Sequence, residues 1–149
     1  MIGVQGEDFD VGLQYQQLAN NPRAGAIVFF VGTVRDMTDG QHVTELFLEH
    51  YPQMTETVLA QVVAQASEQW ELIDVHLIHR VGKLSVNEQI VFVGVSAKHR
   101  KNAFAAAAYI MDQLKTCAPF WKKETRQGQS IWLEQRDSDV SAASQWFDH

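Results

Sequence analysis

The chain contains a single cysteine, Cys117, among its 149 residues. One cysteine forms no intramolecular disulfide and supplies no CxxC redox or zinc motif, so a disulfide-stabilised secreted fold is excluded. The first thirty residues also lack a basic start and carry acidic residues at positions 7, 8 and 10, which is unlike a signal or transit peptide. We therefore expect a cytoplasmic protein.

Long hydrophobic runs, repeats and low-complexity tracts are also lacking. No apolar run approaches the roughly 18 to 20 residues that are needed to span a bilayer, so no membrane segment is expected. The hydrophobic share of 46% and the charged share of 20% suit one ordinary domain with a buried core. We expect a single domain over residues 1–149, with a partly ordered tail at 138–149.

Basic residues are few: twelve Lys and Arg stand against eighteen Asp and Glu, for a net charge of -6. This balance argues against a non-specific nucleic-acid binder. The distribution is uneven, because residues 1–97 carry four basic and twelve acidic side chains, whereas residues 98–126 carry seven and two. An acidic protein thus has one cationic segment.

Helices are predicted where apolar residues recur at the i, i+3 and i+4 spacing, which occurs at 11–20, 55–70 and 99–116. Asp10 is a suitable N-cap for the first helix, and Pro119 cannot continue the third. The buried stripe of the third helix is expected to consist of Phe104, Ala107, Ala108, Met111 and Leu114.

Strands are predicted where β-branched and aromatic residues concentrate, at 26–34, 43–51, 72–81 and 89–96. We expect the first two to pair as an antiparallel hairpin around Thr38-Asp39-Gly40. A final hairpin is expected to pair 120–123 with 130–134 around Gln127-Gly128. Because strands and helices interleave, the predicted fold class is α+β.

Lys115 lies at the C-terminal end of the third predicted helix, where the helix dipole stabilises any cation, so alone it indicates a surface residue. Lys122 follows past Pro119, with Lys123 and Arg126 beyond it. A turn at Pro119 could aim several of these cations at one point. Such a cluster binds a phosphate or carboxylate, or lowers the pKa of one lysine enough for acid/base or nucleophilic chemistry. Anion binding ranks first, and a solvated charge run is the main competitor.

Two further positions favour anion recognition. Arg35 follows Gly32-Thr33 at the end of a predicted strand, where a guanidinium can bind an anion through two parallel hydrogen bonds; the alternative is a loop arginine paired with Asp36. His99 and Arg100 begin the third predicted helix, where free N–H groups attract anions.

A metal or nucleotide site is not expected. His76 and His79 are three residues apart on a predicted strand and therefore point to opposite faces, which prevents chelation by the pair. The sequence contains no HExxH, GxGxxG, GxxxxGK[ST] or GxSxG motif.

Five sequence blocks resemble one known family. They are GTVR at 32–35, LEHYPQMTE at 48–56, IHRVG at 78–82, the segment from Val91 to Arg100, and LKTCAPFWKKE at 114–124. In order and spacing they are similar to the catalytic large subunit of molybdopterin synthase, the MoaE-type family, over about residues 10 to 137.

The resemblance implies a sulfurtransferase of molybdenum cofactor biosynthesis. Such an enzyme converts cyclic pyranopterin monophosphate to molybdopterin with two dithiolene sulfurs, donated by the C-terminal Gly-Gly thiocarboxylate of a small ubiquitin-like subunit. It implies no cofactor and no metal. It also implies a homodimer within a heterotetramer, and an α/β hammerhead fold with an additional antiparallel β subdomain.

The resemblance also implies a pocket. Lys115 is expected to be the acid/base or transient nucleophile, while Lys122 and Arg35 hold and polarise the substrate. His99 and Arg100 are expected to come from the neighbouring protomer. The full set of implied binding residues is Thr33, Val34, Arg35, His99, Arg100, Lys115, Lys122, Lys123 and Glu124.

Two other functions compete with the enzyme. A non-catalytic module could use the same cations to bind a phosphorylated ligand or the C-terminal tail of a partner. A nucleic-acid binder could use the segment from Lys98 to Arg126, with Phe120 and Trp121 as stacking platforms, but the overall acidity disfavours it.

Overall fold

Helices and strands interleave along the chain, as the hydrophobic pattern predicts. The structure is a computed structural model that describes residues 1–133 together with residues 143 and 146. The helices of this part are α1 (Val11–Ala19), α2 (Met54–Trp70) and α3 (Arg100–Thr116). The strands are β1 (Ile2–Gln5), β2 (Ala26–Thr33), β3 (Met37–Thr38), β4 (Gln41–His50), β5 (Asp74–Arg80), β6 (Gly82–Ser85), β7 (Gln89–Ala97), β8 (Phe120–Arg126) and β9 (Gln129–Trp132).

The first sheet has the strand order β1-β5-β7-β2. β1 pairs with β5 in parallel, and the other neighbours are antiparallel. Alternate residues of β5 face opposite sides: Leu77 belongs to the large core cluster that includes α2 and α3, whereas Ile78 packs with Leu18 of α1. The central strands are therefore buried on both faces, which explains their nearly continuous apolar sequence.

The second sheet has the order β3-β4-β8-β9, and β6 also pairs with β4. Its buried core consists of Val34, Leu46, Leu48 and Leu84. The predicted final hairpin is confirmed as β8 and β9, and Gln127 and Gly128 turn the chain with φ of 51° and 80°. The α+β class with an added antiparallel sheet is confirmed.

The predicted hairpin between 26–34 and 43–51 is wrong. β2 pairs with β7, from Ala26 opposite Ala97 to Thr33 opposite Gln89, while β4 lies in the second sheet. The chain changes sheets between these strands, because Val34 is buried in the second core. Asp39 and Gly40 do form a tight turn with positive φ, but it joins β4 to the short strand β3.

The three predicted helices are confirmed. Asp10 caps α1 by accepting a hydrogen bond from the Leu13 N–H at 3.0 Å. The predicted stripe of α3 is partly wrong, since Phe104 is 62% exposed and Ala108 is also exposed. The buried face runs instead through Ala103, Ala106, Ala107, Ile110 and Leu114. Small alanine side chains let the helix lie close to the sheet, so a large apolar residue is a poor marker of this face.

Most of the predicted tail at 138–149 lies outside the described residues. Trp146 is described, and its Nε1–H donates to Asp112 Oδ2 of α3 at 2.6 Å. Its ring makes edge contacts with Trp70 and Tyr109, each at a centroid distance of 5.6 Å. This side chain thus packs on α2 and α3. None of the helices described is long and apolar enough to cross a membrane.

Candidate active site

The candidate site lies at one edge of the first sheet. β2 and β5 each run antiparallel to β7, which lies between them, so these two strands run in the same direction. Their C-terminal ends, Thr33 and Arg80, therefore lie at the same edge. α3 follows β7, which ends at the opposite edge, where the Gly25 N–H donates to the Ala97 carbonyl. The helix returns across the sheet and brings Lys115 to the edge where β2 and β5 end.

The same path separates two groups of predicted site residues. His99 is the N-cap of α3 and Arg100 its first residue, whereas Lys115 lies in the last turn. At 1.5 Å per residue, Arg100 and Lys115 are about 22 Å apart along the helix. Within one chain, His99 and Arg100 therefore do not share a site with Lys115.

Arg35 leaves the end of β2 at the site edge. The backbone of the preceding residue, Val34, is fixed on both sides, because its N–H donates to the Glu88 carbonyl at 3.0 Å and its carbonyl accepts from the Asn87 N–H at 2.9 Å. Val34 itself is 3% exposed and belongs to the second core, while Thr33 and Arg35 are exposed. Of these three predicted binding residues, Thr33 and Arg35 present side chains to solvent.

Strand β8 separates Lys122 from Lys123, because successive side chains point to opposite faces. Lys123 Nζ lies 5.3 Å from the centre of the Phe47 ring and 5.2 Å from the Trp132 ring. Lys122 shares the other face with Phe120 and Glu124. The structure thus brings Lys122, but not Lys123, to the face that adjoins the first sheet.

Glu124 is engaged in a buried ion pair. Its Oε2 accepts from both Nε and a terminal nitrogen of Arg126 at 2.8 Å, and its Oε1 accepts from the Thr38 hydroxyl at 3.1 Å. The two charged side chains are 10% and 12% exposed. These bonds tie β8 to β3, so the structure gives Glu124 a part in fixing the strand that carries Lys122.

His79 also lies at this edge, and it is not among the site residues predicted from the sequence. It is 6% exposed, and its ring stacks on Phe120 with centroids 3.9 Å apart. Burial, together with electrostatic repulsion from Lys122, Lys115 and His50, lowers the pKa of His79 to about 4, although the hydrogen bond to the Arg80 carbonyl acts in the opposite direction. The ring is therefore neutral at pH 7. Lys115 from α3 and Lys122 from β8 both lie close enough to act on the same buried ring.

The prediction that His76 and His79 face opposite sides is confirmed. His76 Nδ1 lies 2.7 Å from Gln14 Oε1 of α1, whereas His79 contacts Phe120. The available signal for His79 was its register: it follows Val75 and Leu77 at intervals of two and so falls on the same buried face as they do. A histidine at the end of such a face is an unusual core residue.

A cavity of about 330 Å³ lies in the second sheet, where β4 ends and β8 begins. The rings of Tyr51 and Trp121 meet edge to face at 4.3 Å in its wall. The other lining residues are Glu49, His50 and Trp132. The cavity is large enough for a small molecule or an extended peptide end. In the part of the chain that the structure describes, no group of three or more His, Cys, Asp or Glu side chains is placed to hold a metal ion.

Comparison with known proteins decides the family, since the model of the MoaE protein family matches residues 4–117. The chain belongs to the MoaE family. The molybdopterin synthase catalytic subunit of Vibrio cholerae serotype O1 is 52% identical over 145 residues, covering 97% of each chain. The solved MoaE protein of Burkholderia ambifaria MC40-6 is 46% identical, with a TM-score of 0.83 over 98% of this chain and 97% of that one. Molybdopterin synthase from Staphylococcus aureus is 34% identical, with a TM-score of 0.82 over 88% and 95%.

These MoaE relatives confirm the resemblance that the sequence blocks indicated, along with its fold. They also confirm the prediction of an enzyme, a molybdopterin synthase catalytic subunit. The enzyme therefore replaces the two competing predictions, a non-catalytic module and a nucleic-acid binder. The roles of individual residues in this MoaE chain stay predictions.

Proposed function

We propose that this chain catalyses the sulfur transfer of molybdopterin synthase at the edge of the first sheet, with Lys115, Lys122 and Arg35 as its catalytic groups. The observation that supports this site is the convergence of Lys115 and Lys122, from two different elements, on the buried ring of His79. Arg35 follows the end of β2, which is two strands away from β5 in the same sheet. The three cations therefore lie at the same edge of the first sheet.

The proposed substrates explain why cations are needed. Cyclic pyranopterin monophosphate carries a phosphate, and the thiocarboxylate of the sulfur donor is also an anion. Charged hydrogen bonds from Lys122 and Arg35 would hold and polarise these groups, and fixed charges lower the barrier most where negative charge develops. Lys115 is proposed as the acid/base group or transient nucleophile nearest the thiocarboxylate.

The donor is proposed to be a small ubiquitin-like subunit with a C-terminal Gly-Gly thiocarboxylate. The relatives are named catalytic subunits, a term that implies at least one further subunit in those proteins. An extended Gly-Gly end has no side chains to exclude it from a narrow cleft, and it gives the reactive group reach. The cavity is proposed as the entrance, because His50 lines it and also acts on His79.

A second copy of the chain is proposed to complete each site. His99 and Arg100 lie about 22 Å from Lys115 along α3, so they reach a Lys115 site only if a neighbouring protomer supplies them. This arrangement agrees with a homodimer inside a heterotetramer.

We also propose a cytoplasmic location, because one free cysteine, Cys117, suits a reducing compartment.

The direct test is reconstitution. Purified chain is mixed with the thiocarboxylated small subunit and the cyclic pterin, and dithiolene product is measured. We expect turnover by the wild type and a loss of at least about a hundredfold in Lys115→Ala. Lys83→Ala is the matched control, since Lys83 is an exposed lysine of β6 that pairs with Glu45 of β4. If a correctly loaded donor gave no product, the proposed enzymatic activity would be wrong. If Lys115→Ala turned over normally, the proposed role of that lysine would be wrong.

A further inference from the structure

His79 is a buried titratable group that the proposed reaction does not use. Its surroundings are unusual for a core histidine, because the groups that disfavour its protonation come from several elements. Lys115 faces it from α3, Lys122 from β8 and His50 from β4. The strands on either side contribute Val4 and Val91, which carry no charge. Glu56 of α2 lies 3.9 Å from His50 rather than against His79.

Hydrogen bonding fixes the tautomer of the ring. Nδ1 lies 2.8 Å from the backbone carbonyl of Arg80. A carbonyl only accepts, so Nδ1 carries the proton, and Nε2 of the neutral ring is an acceptor. The peptide that supplies this carbonyl is itself held in place, because the Arg80 side chain donates to the carbonyls of Gly6 and Gln89.

Stacking fixes the position of the ring relative to β8. The planes of His79 and Phe120 are inclined by 18° with centroids 3.9 Å apart. Phe120 is the first residue of β8, and Lys122 follows two residues later on the same face. A displacement of the His79 ring would therefore shift Phe120 and, with it, the start of β8, the strand that carries Lys122.

A neutral hydrogen-bond acceptor suits a site with several lysines better than a charged group does. A carboxylate at this point would form ion pairs with the lysines and cancel the positive charge that an anionic substrate requires. A protonated imidazole would accept no hydrogen bond and would repel both lysines. A neutral imidazole orients an ammonium group while leaving its charge intact.

We propose that His79 is a positioning residue of the lysine site, which supports Phe120 with its ring face and accepts a hydrogen bond from a lysine ammonium through Nε2. The inference rests on the proposed function, because it assigns His79 to the same substrate-binding edge. It adds a residue that holds the cations rather than one that contacts the substrate.

The kinetic test separates the acceptor from the ring. His79→Phe keeps an aromatic ring for the stack but removes the acceptor, whereas His79→Gln keeps a neutral acceptor in a different shape. In the reconstituted complex we expect His79→Phe to lose about tenfold to a hundredfold in kcat/KM, since hydrogen bonds to charged groups are worth that much. We expect His79→Gln to retain a larger share of kcat/KM. Wild-type kcat and KM in His79→Phe would overturn the proposal.

His76→Phe is the matched control. His76 is a histidine of the same strand that is 5% exposed, but its ring faces α1 through Gln14. Its replacement is expected to lower stability while leaving kcat and KM per folded molecule unchanged. If His76→Phe and His79→Phe lost equal kcat/KM, a general loss of packing would explain both, and the proposal would fail.

A second measurement does not depend on activity. Nitrogen NMR of the full-length wild-type chain with labelled histidine should find His79 neutral and protonated at Nδ1 at pH 7. Lys115→Gln and Lys122→Gln should each raise the titration midpoint of His79, because each removes a neighbouring positive charge. If neither variant changed the titration midpoint of His79, the two lysines would not lie close to its ring and the proposal would be wrong. Raised midpoints combined with normal turnover of Lys115→Ala would instead refute the proposed catalytic site and leave the position of His79 established.

Discussion

The ring of His79 stacks on the ring of Phe120, with centroids 3.9 Å apart and planes inclined by 18°. His79 ends the buried face of β5 in the first sheet, and Phe120 begins β8 in the second. This contact joins the two sheets at the edge where Lys115 and Lys122 converge. The stability of the junction and the geometry of the candidate site are therefore linked.

The first prediction concerns the dependence of stability on pH. The pKa of His79 is about 4 in the folded chain and 6.5 in its ordinary state, so between these values the unfolded chain binds a proton that the folded chain does not. Stability is therefore lost as pH falls from about 6.5 towards 4, by roughly 2 kcal/mol at pH 5. His79→Phe removes this loss. Urea unfolding at pH 7 and pH 5 should find a smaller decrease in the variant, and equal decreases would contradict the burial argument.

The second prediction compares two adjacent lysines. Lys122→Ala removes a cation from the face that adjoins His79, whereas Lys123→Ala removes one that lies between Phe47 and Trp132. We expect the loss of kcat/KM to be at least about tenfold greater for Lys122→Ala. Steady-state kinetics of the reconstituted complex measure this ratio. Equal losses would mean that the two faces of β8 contribute alike.

The third prediction concerns the ion pair of Glu124 and Arg126. Because both side chains are nearly buried, Glu124→Leu leaves the guanidinium without its carboxylate and should lower the free energy of unfolding by about 3 to 5 kcal/mol. The exposed pair of Lys83 and Glu45 provides the control, and Lys83→Ala should cost about 1 kcal/mol or less. Chemical denaturation measures both. A small effect of Glu124→Leu would show that water or another donor replaces the carboxylate.

The fourth prediction concerns Arg80, which is 7% exposed. Its Nε and one terminal nitrogen donate to the Gly6 carbonyl, and the other terminal nitrogen donates to the Gln89 carbonyl. A lysine ammonium lacks this planar fork, so Arg80→Lys should destabilise the chain by about 2 to 3 kcal/mol. Thermal or urea unfolding measures the change. Stability within experimental error of the wild type would indicate that the three carbonyl contacts are not needed together.

Local elements were predictable from the sequence, whereas strand partners were not. The spacing of apolar residues located α2, and the side chain of Asp10 located the start of α1, because both signals lie within a few residues of the element. The pairing of β2 with β7 joins residues about sixty positions apart, and the four-residue strand β6 pairs with β4, which lies in a distant part of the chain. Such pairings depend on the burial of both sheets, which no local pattern encodes.

The residues of the candidate site also fall into those that could be predicted from the sequence and those that could not. Lys115 and Lys122 stood out because cations follow a helix end and a proline, and the family resemblance gave them roles. His79 did not, because a single histidine in an apolar strand gives no sign of the helix end and the strand that approach it in space. That Lys122 rather than Lys123 faces the first sheet also became visible only once β8 had a partner and a register.

Helix α3 carries His99 and Arg100 at one end and Lys115 at the other. If a dimer shares these ends between its sites, a mixed dimer of Arg100→Ala and Lys115→Ala protomers has one site with both defects and one with neither. Two inactive variants should then restore activity when they are refolded together, with mixed dimers reaching about half the wild-type rate per dimer. Because one helix carries both groups, the two inactive variants would thus complement each other.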